Sequence, residues 1–567
     1  MPRPTAPAVL RLLLAVCVPL AVSLPLGSAC APTIGGKSDA DGAGDSGSDG
    51  ADGGGDDGGG DGGDIEDIGS SSLTFDHAGG WVEAPFELVI ETPLTGAVLV
   101  YTLDCSDPLD SSTNTSRTYD APLVIDTTTV VRVATIRDGE VIGPSVTRTF
   151  VFADQIPDQT APDGWPSQWS PDYGSGGWST PHYSVAAEVV DADPDAFQTA
   201  LAALPMVSLV LDPEDLWGAS GIYDHAWEEG VAWERPAAVE LFAAASDGAG
   251  AEPGFAINSA VRIYGGASRN PDRSPKKTFR LLFKGAYGPT KLEYRVYPDD
   301  EITEYDGLVL RGSYNHSWIH WDPTQRSRGQ LVRDPFARAT QRALGGAAPR
   351  GRHVHLFLDG LYWGVYDIAE RADATFFADR GGGTGADWDV LNSGEAIDGD
   401  TVDWAETLAV ARADDGTDAG LAALEARVDA DALIDYMLMN LWAGNDDWPH
   451  HNWYAGRERT DDGRWRFVSW DAEHTLKELD TNVTGIAVED SPAELFVAMA
   501  RHPPFVARLS ARAAELMGEG GPLAPAVAID RYDTIAEVLA PAMVAESARW
   551  GTYRRDVYCF NSPPCEL

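Results

Sequence analysis

The chain has 567 residues, which is too long for one ordinary hydrophobic core and predicts two folded domains together with non-globular segments. Hydrophobic residues make up 44% of the chain and Trp occurs 18 times, so its composition is that of a globular protein and excludes a wholly disordered one. There are 41 Lys and Arg against 88 Asp and Glu, giving a formal charge of −47, which excludes nucleic acid and anionic membrane surfaces as direct partners.

Residues 1–30 have the features of a signal peptide for export. Arg3 and Arg11 precede an apolar run over residues 12–26, and small residues lead to Cys30. These small residues resemble a bacterial lipobox, in which the cysteine carries the lipid, although the usual Leu three places earlier is Gly27 here. Plain cleavage near Ala29 or Ala31 is the alternative. We expect an exported protein at the cell envelope or cell surface, with a lipid on Cys30 as its only membrane attachment.

Residues 31–72 are rich in Gly, Asp and Ser and predict a disordered, self-repelling tether. A calcium-binding Asp-rich repeat is less favoured because the segment has no regular nine-residue period. At the other end, residues 556–567 form a predicted tail. Cys559 and Cys565 are close enough there to form a disulfide, which would leave Cys105 unpaired, although spacing does not exclude other pairings.

Residues 73–153 predict a small immunoglobulin-like β-sandwich. Short β-rich runs with turn residues between them occur at 86–90, 97–102, 123–125, 129–135 and 146–151. The stretch 101–108, with Tyr119 and the run 127–131, resembles the module found at the C-terminus of chitobiases and hexosaminidases, in which Gly commonly occupies the position of Cys105. The resemblance implies an accessory module that acts as a spacer or contacts carbohydrate through the sandwich.

Residues 154–203 form a predicted linker whose first part is rich in Pro, Gly, Trp and Ser. Its aromatic residues could form a carbohydrate platform, but packing of a long loop onto the next domain is the favoured interpretation. These aromatic residues are Trp165, Trp169, Tyr173, Trp178 and Tyr183.

Residues 204–555 predict an α+β domain, because strands come first and helices later. The predicted strands are 206–211, 238–242, 260–264, 278–283 and 307–311. A helix over 332–344, a hairpin of 353–358 and 364–369 around Asp359-Gly360, and a helix over 430–442 follow.

A polar loop over residues 444–453 carries the most informative pattern in the chain. Asp447 and Asn452 are separated by four residues, as are the base Asp and the metal-binding Asn of a kinase catalytic loop. A strand over 465–470 then delivers Asp471, a second candidate metal ligand. Phosphoryl transfer needs a carboxylate for the hydroxyl proton and hard oxygen ligands for Mg²⁺, and these three residues could supply them.

Several segments, in order, resemble the CotH (spore coat protein H-like) family of atypical protein kinases. They are 262–269, 275–284, 331–334, 362–370, the Asp447 loop and 470–473. The resemblance covers roughly residues 204–476. It implies an atypical, protein-kinase-like two-lobed domain that uses ATP with Mg²⁺ or Mn²⁺, with Asp447 as catalytic base and Asn452 and Asp471 as metal ligands.

The same resemblance assigns further residues to the nucleotide. Lys276 or Lys277 would reach the phosphates, and strand alternation places only Lys277 on the face of Phe279 without showing which layer that face meets. The turn Gly265-Gly266 with Ser268 and Arg269 would offer backbone amides to phosphate. Glu370 would lie near the linker on the nucleotide side. The helix after Arg333 has only Asp334 as an acid, so the usual Lys–Glu pair is unassigned.

Three functions are consistent with the sequence. The first is transfer of phosphate from ATP to Ser or Thr of a protein at the cell surface or envelope. The second is a non-catalytic surface adhesion or binding module that keeps a kinase-like fold. The third is a metal-dependent hydrolase using four residues suited to zinc or manganese, namely His450, His451, Asp471 and His474. The set Asp447, Asn452 and Asp471 favours the first.

Overall fold

A computed structural model gives the fold of residues 73–110, 114–167, 181–247, 254–270 and 273–557. The predicted signal peptide, Cys30, the tether and the predicted Cys559–Cys565 pair lie outside these described residues.

The first part of the described chain is a β-rich module of ten short strands. Val131, Val133 and Phe150, on two neighbouring strands, are fully buried and fill its core. The strands are β1 (Thr74–Phe75), β2 (Gly80–Trp81), β3 (Phe86–Leu88), β4 (Ile90–Glu91), β5 (Ala97–Thr102), β6 (Arg117–Thr118), β7 (Leu123–Ile125), β8 (Thr129–Arg137), β9 (Glu140–Val141) and β10 (Val146–Val151).

One sheet of the module has the order β2-β10-β8-β5-β6, with β9 on β8, and the pairs β1-β4 and β3-β7 cover it. The strand predicted over 86–90 is divided at Val89, because β3 pairs with β7 whereas β4 pairs with β1. Cys105 is a free, buried cysteine in the left-handed region with φ 65°, a conformation that suits the Gly found in the resembling modules.

The second part begins with a closed barrel in the order β11-β12-β13-β14-β17-β19-β18. Parallel pairing of β11 with β18 closes it, from Met206 opposite His355 to Leu209 opposite Leu358. Apolar side chains fill the interior, including fully buried Leu281, Leu310 and Leu356. The strands of this region are β11 (Met206–Leu211), β12 (Arg235–Phe242), β13 (Phe255–Tyr264), β14 (Thr278–Leu282), β15 (Leu292–Glu293), β16 (Glu304–Tyr305), β17 (Gly307–Arg311), β18 (Gly351–Leu358) and β19 (Leu361–Ala369).

A four-stranded sheet in the order β21-β20-β22-β23 follows the barrel and packs against helices. Its strands are β20 (Trp388–Asn392), β21 (Glu395–Asp398), β22 (Trp453–Glu458) and β23 (Arg466–Ser469). The hydroxyl groups of Tyr264, at the end of β13, and Tyr454, in β22, are 2.8 Å apart and join the barrel to this sheet.

Helices connect and cover these sheets. The α-helices are α1 (Ala187–Ala192), α2 (Pro194–Ala202), α3 (Pro213–Trp217), α4 (Pro323–Arg326), α5 (Arg333–Ala343), α6 (Ala374–Gly381), α7 (Val402–Ala413), α8 (Asp418–Glu425), α9 (Ala430–Trp442), α10 (Pro492–Met499), α11 (Pro503–Met517), α12 (Pro525–Leu539), α13 (Met543–Glu546) and α14 (Tyr553–Asp556). Short 3₁₀ turns occupy Ala153–Asp158, Val231–Trp233, Ala245–Asp247, Ala267–Arg269, Gly385–Asp387, Ala472–His474 and Ala540–Ala542, and Ser547–Gly551 is a π-helical turn.

The β-rich module contacts the barrel through paired polar and apolar groups. Thr149 Oγ1 lies 2.7 Å from Ser208 Oγ, and Arg148 forms a 3.5 Å ion pair with the buried Glu240. The ring of Phe242 lies against Gly79 and Gly80, where an added Cβ would meet it at 3.2 and 2.9 Å. The module is therefore seated on the barrel rather than joined to it by a free linker.

The predicted linker contains α1 and α2, and its described aromatic residues pack inward. The ring centroid of Trp165 lies 5.0 Å from that of Trp217, and that of Tyr183 lies 6.2 Å from that of Trp363. Packing of the linker on the next domain is confirmed for these two residues, whereas Trp169, Tyr173 and Trp178 lie outside the described residues.

The predicted mixture of helices and strands with an N-terminal β-rich module is confirmed. So are the hairpin around Asp359-Gly360 and the helix over 430–442. No helix among the described residues combines the length and the apolar character that crossing a membrane requires.

Candidate functional site

The start of β22 and the end of β23 lie side by side in the four-stranded sheet, and Asn452 and Asp471 stand next to these strand ends. Trp453 of β22 pairs with Ser469 of β23, so Asn452 just precedes the pair and Asp471 follows two residues after it. Both residues are in the left-handed region, with φ of 64° and 53°. Such backbone is uncommon for side-chain-bearing residues and concentrates at sites where geometry matters more than local stability.

Asp447 lies in the loop before β22 and is held by that loop. The side-chain amide of Asn452 donates to the Asp447 carbonyl oxygen at 2.9 Å and to its Oδ2 at 3.3 Å. The Nε2 of His451 lies 3.2 Å from Asp447 Oδ1. Burial raises the pKa of Asp447, but the hydrogen bond from His451 and the charge of His474 outweigh it and lower the pKa to about 2. The carboxylate is thus ionised at neutral pH.

The Asp447 loop and the segment after Asp471 are tied to one another. Lys477 Nζ lies 2.6 Å from Asp446 Oδ1, and the backbone amide of Leu476 donates to the Ala443 carbonyl at 2.7 Å. The Asp447 loop and the segment after Asp471 therefore lie close to one another, whereas the catalytic and metal-binding roles of Asp447, Asn452 and Asp471 stay predictions.

Arg311 is the cation that the structure places on Asp471. It stands at the end of β17, and its Nη2 contacts Asp471 and lies 3.0 Å from Glu473 Oε1. Its Nη1 lies 2.9 Å from Asp334 Oδ2 on α5. The guanidinium carbon is 4.3 Å from the ring centroid of Trp470, a cation–π distance. Arg311 thus connects its barrel strand to Asp334 on a helix and to the candidate metal ligand Asp471.

Glu473 adds a second carboxyl beside Asp471. Burial, followed by the negative charge of Asp471, raises the pKa of Glu473 to about 8 in spite of Arg311. Its Oε2 has no hydrogen-bond partner among the described residues. Neither Arg311 nor Glu473 belonged to the sequence-predicted site, because a lone Arg at a strand end and one Glu after Asp471 match no motif.

Two side chains near Glu473 and His474 keep buried polar atoms without partners among the described residues. Both ring nitrogens of His316 and the Nε and Nη1 of Arg333 are buried and find no hydrogen-bond partner among the described residues. The His316 ring lies 4.7 Å from that of His474, and burial and the charges of His474 and Arg333 lower its pKa to about 3. Arg333 lines a small cavity together with Arg311 and Glu473. Unused buried donors beside candidate metal ligands suit the oxygens of an anionic ligand.

The two lysines predicted to reach phosphate are buried and held by protein oxygens. Lys276 Nζ lies 2.7 Å from Glu546 Oε1 and donates to the Val365 carbonyl at 2.6 Å. Lys277 Nζ donates to the carbonyl oxygens of Arg269 at 2.5 Å and Ser274 at 2.9 Å. Their phosphate role stays a prediction. Glu546, 270 positions after Lys276, carried no signal in the sequence.

The remaining predicted nucleotide residues surround these lysines or lie in other ion pairs. The turn Gly265-Gly266 follows Tyr264, and a Cβ on Gly265 would lie 2.6 Å from Ser268 Oγ. Arg269 is buried and forms an ion pair with Glu229. Glu370 is buried against Arg380, whose Nη2 lies 2.7 Å from Glu370 Oε1. These positions leave the predicted nucleotide roles untested.

The residues of the hydrolase hypothesis divide into separate contacts. His450 and His451 face Asp447, whereas Asp471 contacts Arg311. His474 Nδ1 lies 3.7 Å from Asp446 Oδ1 and 3.1 Å from Lys477 Nζ. The contacts recorded for Asp471 and His474 thus differ from those of the histidine pair.

With the barrel, the four-stranded sheet and the surroundings of Asp447 and Asp471 described, comparison of sequences identifies the family. The model of the CotH kinase protein family matches residues 261–561, just over half of the chain, and the chain belongs to this family. The model of the chitobiase/beta-hexosaminidase C-terminal domain matches residues 77–147. Both resemblances stated from the sequence are confirmed, in the predicted order. A search of curated proteins found no match.

Proposed function

We propose that the protein is an exported atypical protein kinase that transfers phosphate from ATP to Ser or Thr hydroxyls of proteins at the cell surface or envelope. The observation that carries the proposal is that Asn452 contacts Asp447 and stands, like Asp471, next to the paired strand ends, with Arg311 bridging Asp471 to Asp334. The family supports the same class of activity.

Each residue has a role that follows from its chemistry. The ionised carboxylate of Asp447 would accept the proton of the attacking hydroxyl. Two hard oxygen ligands suit Mg²⁺ or Mn²⁺, namely the side-chain oxygen of Asn452 and the carboxylate of Asp471. Glu473 lies beside Asp471. That metal, when bound, neutralises charge on the phosphates. Arg311 would hold Asp471 in position through its shared contacts with Asp334.

The unsatisfied donors of His316 and Arg333 support a phosphate-binding role for the cleft beside Asp471. Buried donors without partners cost folding free energy, about 1–3 kcal/mol each, so their retention here is accounted for if a ligand supplies acceptors. We assign the nucleotide phosphates to this cluster in preference to Lys276, because the Lys276 ammonium is already paired with Glu546.

The proposed arrangement has two lobes, with the barrel as one and the four-stranded sheet with its helices as the other. The cleft lies where Arg311 of the barrel meets Asp471 after β23. The lipid on Cys30 would anchor the chain to a membrane. The β-rich module, which packs on the barrel, would fix the orientation of the cleft and contact carbohydrate.

The test is mass spectrometry of the full chain incubated with ATP, Mg²⁺ or Mn²⁺ and a generic acceptor protein. A mass gain of one phosphate on the acceptor or the chain is expected. Asp447→Asn should slow transfer by about 10²–10⁴-fold, whereas Asp462→Asn, an exposed acid between β22 and β23, should not. A gain of nucleotidyl size would indicate AMP transfer instead. No gain, with no nucleotide-dependent change in melting temperature, would favour the non-catalytic binding module.

A further inference from the structure

Three metal-binding side chains converge at the Asp447 loop in an arrangement that the kinase mechanism does not require. One donor atom each from Asp447, His450 and His451 lies within 4.8 Å of the other two. The Nε2 atoms of both histidines approach the same carboxylate oxygen, Asp447 Oδ1, at 3.8 Å from His450 and 3.2 Å from His451.

These distances match those between ligands of one tetrahedral ion. Zinc bonds of about 2.0–2.2 Å to nitrogen and oxygen place the donors of a tetrahedral site about 3.4 Å apart. The two measured distances lie on either side of that value. The adjacent histidines turn to the same side because the loop is not a strand, and their ring centroids are 3.9 Å apart with planes at 89°. Both rings can therefore present Nε2 to one point.

The chemistry of the donors selects the kind of ion. Two imidazoles and one carboxylate favour Zn²⁺ and similar borderline transition metals, whereas Mg²⁺ prefers oxygen ligands throughout. Three protein ligands leave a fourth position open to water. The His450 side chain is 52% exposed and those of His451 and Asp447 are 28% and 29% exposed, so solvent can reach the cluster.

From this geometry we infer that Asp447, His450 and His451 form a site for Zn²⁺ or a related transition-metal ion, separate from the Mg²⁺ ligands Asn452 and Asp471. An ion bound at this site is coordinated by Asp447 Oδ1, so that this oxygen is no longer free to accept a proton. Because the proposed function uses the same carboxylate as proton acceptor, the bound ion inhibits transfer. This regulatory consequence rests on the proposed function, whereas the metal site itself does not.

A simpler role for the histidines makes a different prediction. If His451 only orients the Asp447 carboxylate by a hydrogen bond, His450 has no function, and its replacement changes neither metal binding nor activity. In the metal site, His450 and His451 are equivalent ligands, and replacing either one weakens binding.

The experiment is a calorimetric titration of the nucleotide-free full chain with Zn²⁺, together with metal analysis after dialysis. We expect one ion per chain, and affinity that falls by about tenfold or more in His450→Gln and in His451→Gln. The matched control is His77→Gln, which changes a histidine 3.0 Å from Asp76 in the β-rich module. Melting temperatures close to that of the parent chain confirm that the variants are folded.

Asp471→Asn separates this inference from the proposed function. That variant should bind Zn²⁺ like the parent chain, because Asp471 contacts Arg311 and is not one of the three donors. Equal Zn²⁺ binding by the parent chain and His450→Gln, or no binding by the parent chain, would overturn the inference. If the parent chain binds Zn²⁺ but transfers no phosphate even after the Zn²⁺ has been removed, the metal site is upheld and the proposed kinase is rejected.

Discussion

Asp359→Asn tests whether a buried carboxyl beside the β-rich module destabilises the protein at neutral pH. Asp359 stands in the tight turn between β18 and β19, with φ 48°, a conformation that Asn also adopts readily. Its Oδ1 accepts the Leu211 amide at 2.9 Å, and its Oδ2 is buried without a partner among the described residues. Burial raises the pKa of Asp359 from 3.8 to about 7, in spite of the Leu211 hydrogen bond.

The sign of the effect follows from proton linkage. Between the unfolded pKa of 3.8 and the folded pKa of about 7, the folded state binds more protons, so stability falls as pH rises and then stays constant. Each pH unit in that window costs about 1.4 kcal/mol. Between pH 5 and 8 ionisation of Asp359 therefore lowers the free energy of unfolding of the parent chain by about 3 kcal/mol. Asn does not ionise, so the variant has no such loss.

The assay is urea unfolding of the parent chain and Asp359→Asn at several pH values from 5 to 8, above the sequence pI of about 4.3. The Asn amide places a new donor where Oδ2 was, a cost of about 1–3 kcal/mol that is independent of pH. We therefore expect the free energy of unfolding of the variant, relative to that of the parent chain, to rise by about 3 kcal/mol between pH 5 and 8. A stability difference that stays constant over this range would refute the reasoning.

Two further predictions concern the barrel and its C-terminal segment. Lys276→Gln should destabilise the protein by about 3–5 kcal/mol in urea unfolding, because it leaves the Glu546 carboxylate buried without its cation; unchanged stability with lost ATP affinity would instead support the phosphate role predicted from the sequence. Gly364→Ala should lower the melting temperature more than Gly96→Ala does. Both glycines have positive φ, but a Cβ at Gly364 would lie 2.6 Å from Glu546 Oε2, whereas a Cβ at Gly96 would meet open space. Equal decreases in melting temperature would show that backbone strain, and not the contact with Glu546, causes the destabilisation.

Local helices and strands could be predicted from the sequence. So could those groups of candidate site residues that lie within one short segment of the chain. The β-rich run of 129–135 and the apolar run of 206–211 predicted β8 and β11, because β-branched residues favour strands locally. Asp447 and Asn452 share one loop, and Asp471 follows a strand that pairs beside it, so proximity in the sequence translated into proximity in space.

Contacts between distant segments could not be predicted in this way. Closure of the barrel depends on β11 pairing with β18, about 150 residues later, and no local pattern encodes that register. The partner of Lys276 lies 270 positions away on α13. For the same reason the pairing of Arg311 with Asp334 and Asp471 became visible only in the structure, although Asp334 and Asp471 were already of interest.

The most direct test of the central claim is calorimetric binding of ATP to the full chain with and without Mg²⁺. If Asn452 and Asp471 hold the metal on the phosphates, binding should depend on Mg²⁺ and weaken by at least about tenfold in Asp471→Asn. The exposed Asp480→Asn in the following loop is the matched control and should bind like the parent chain. Affinity that is indifferent to Mg²⁺, or equal in Asp471→Asn and the parent chain, would contradict the account.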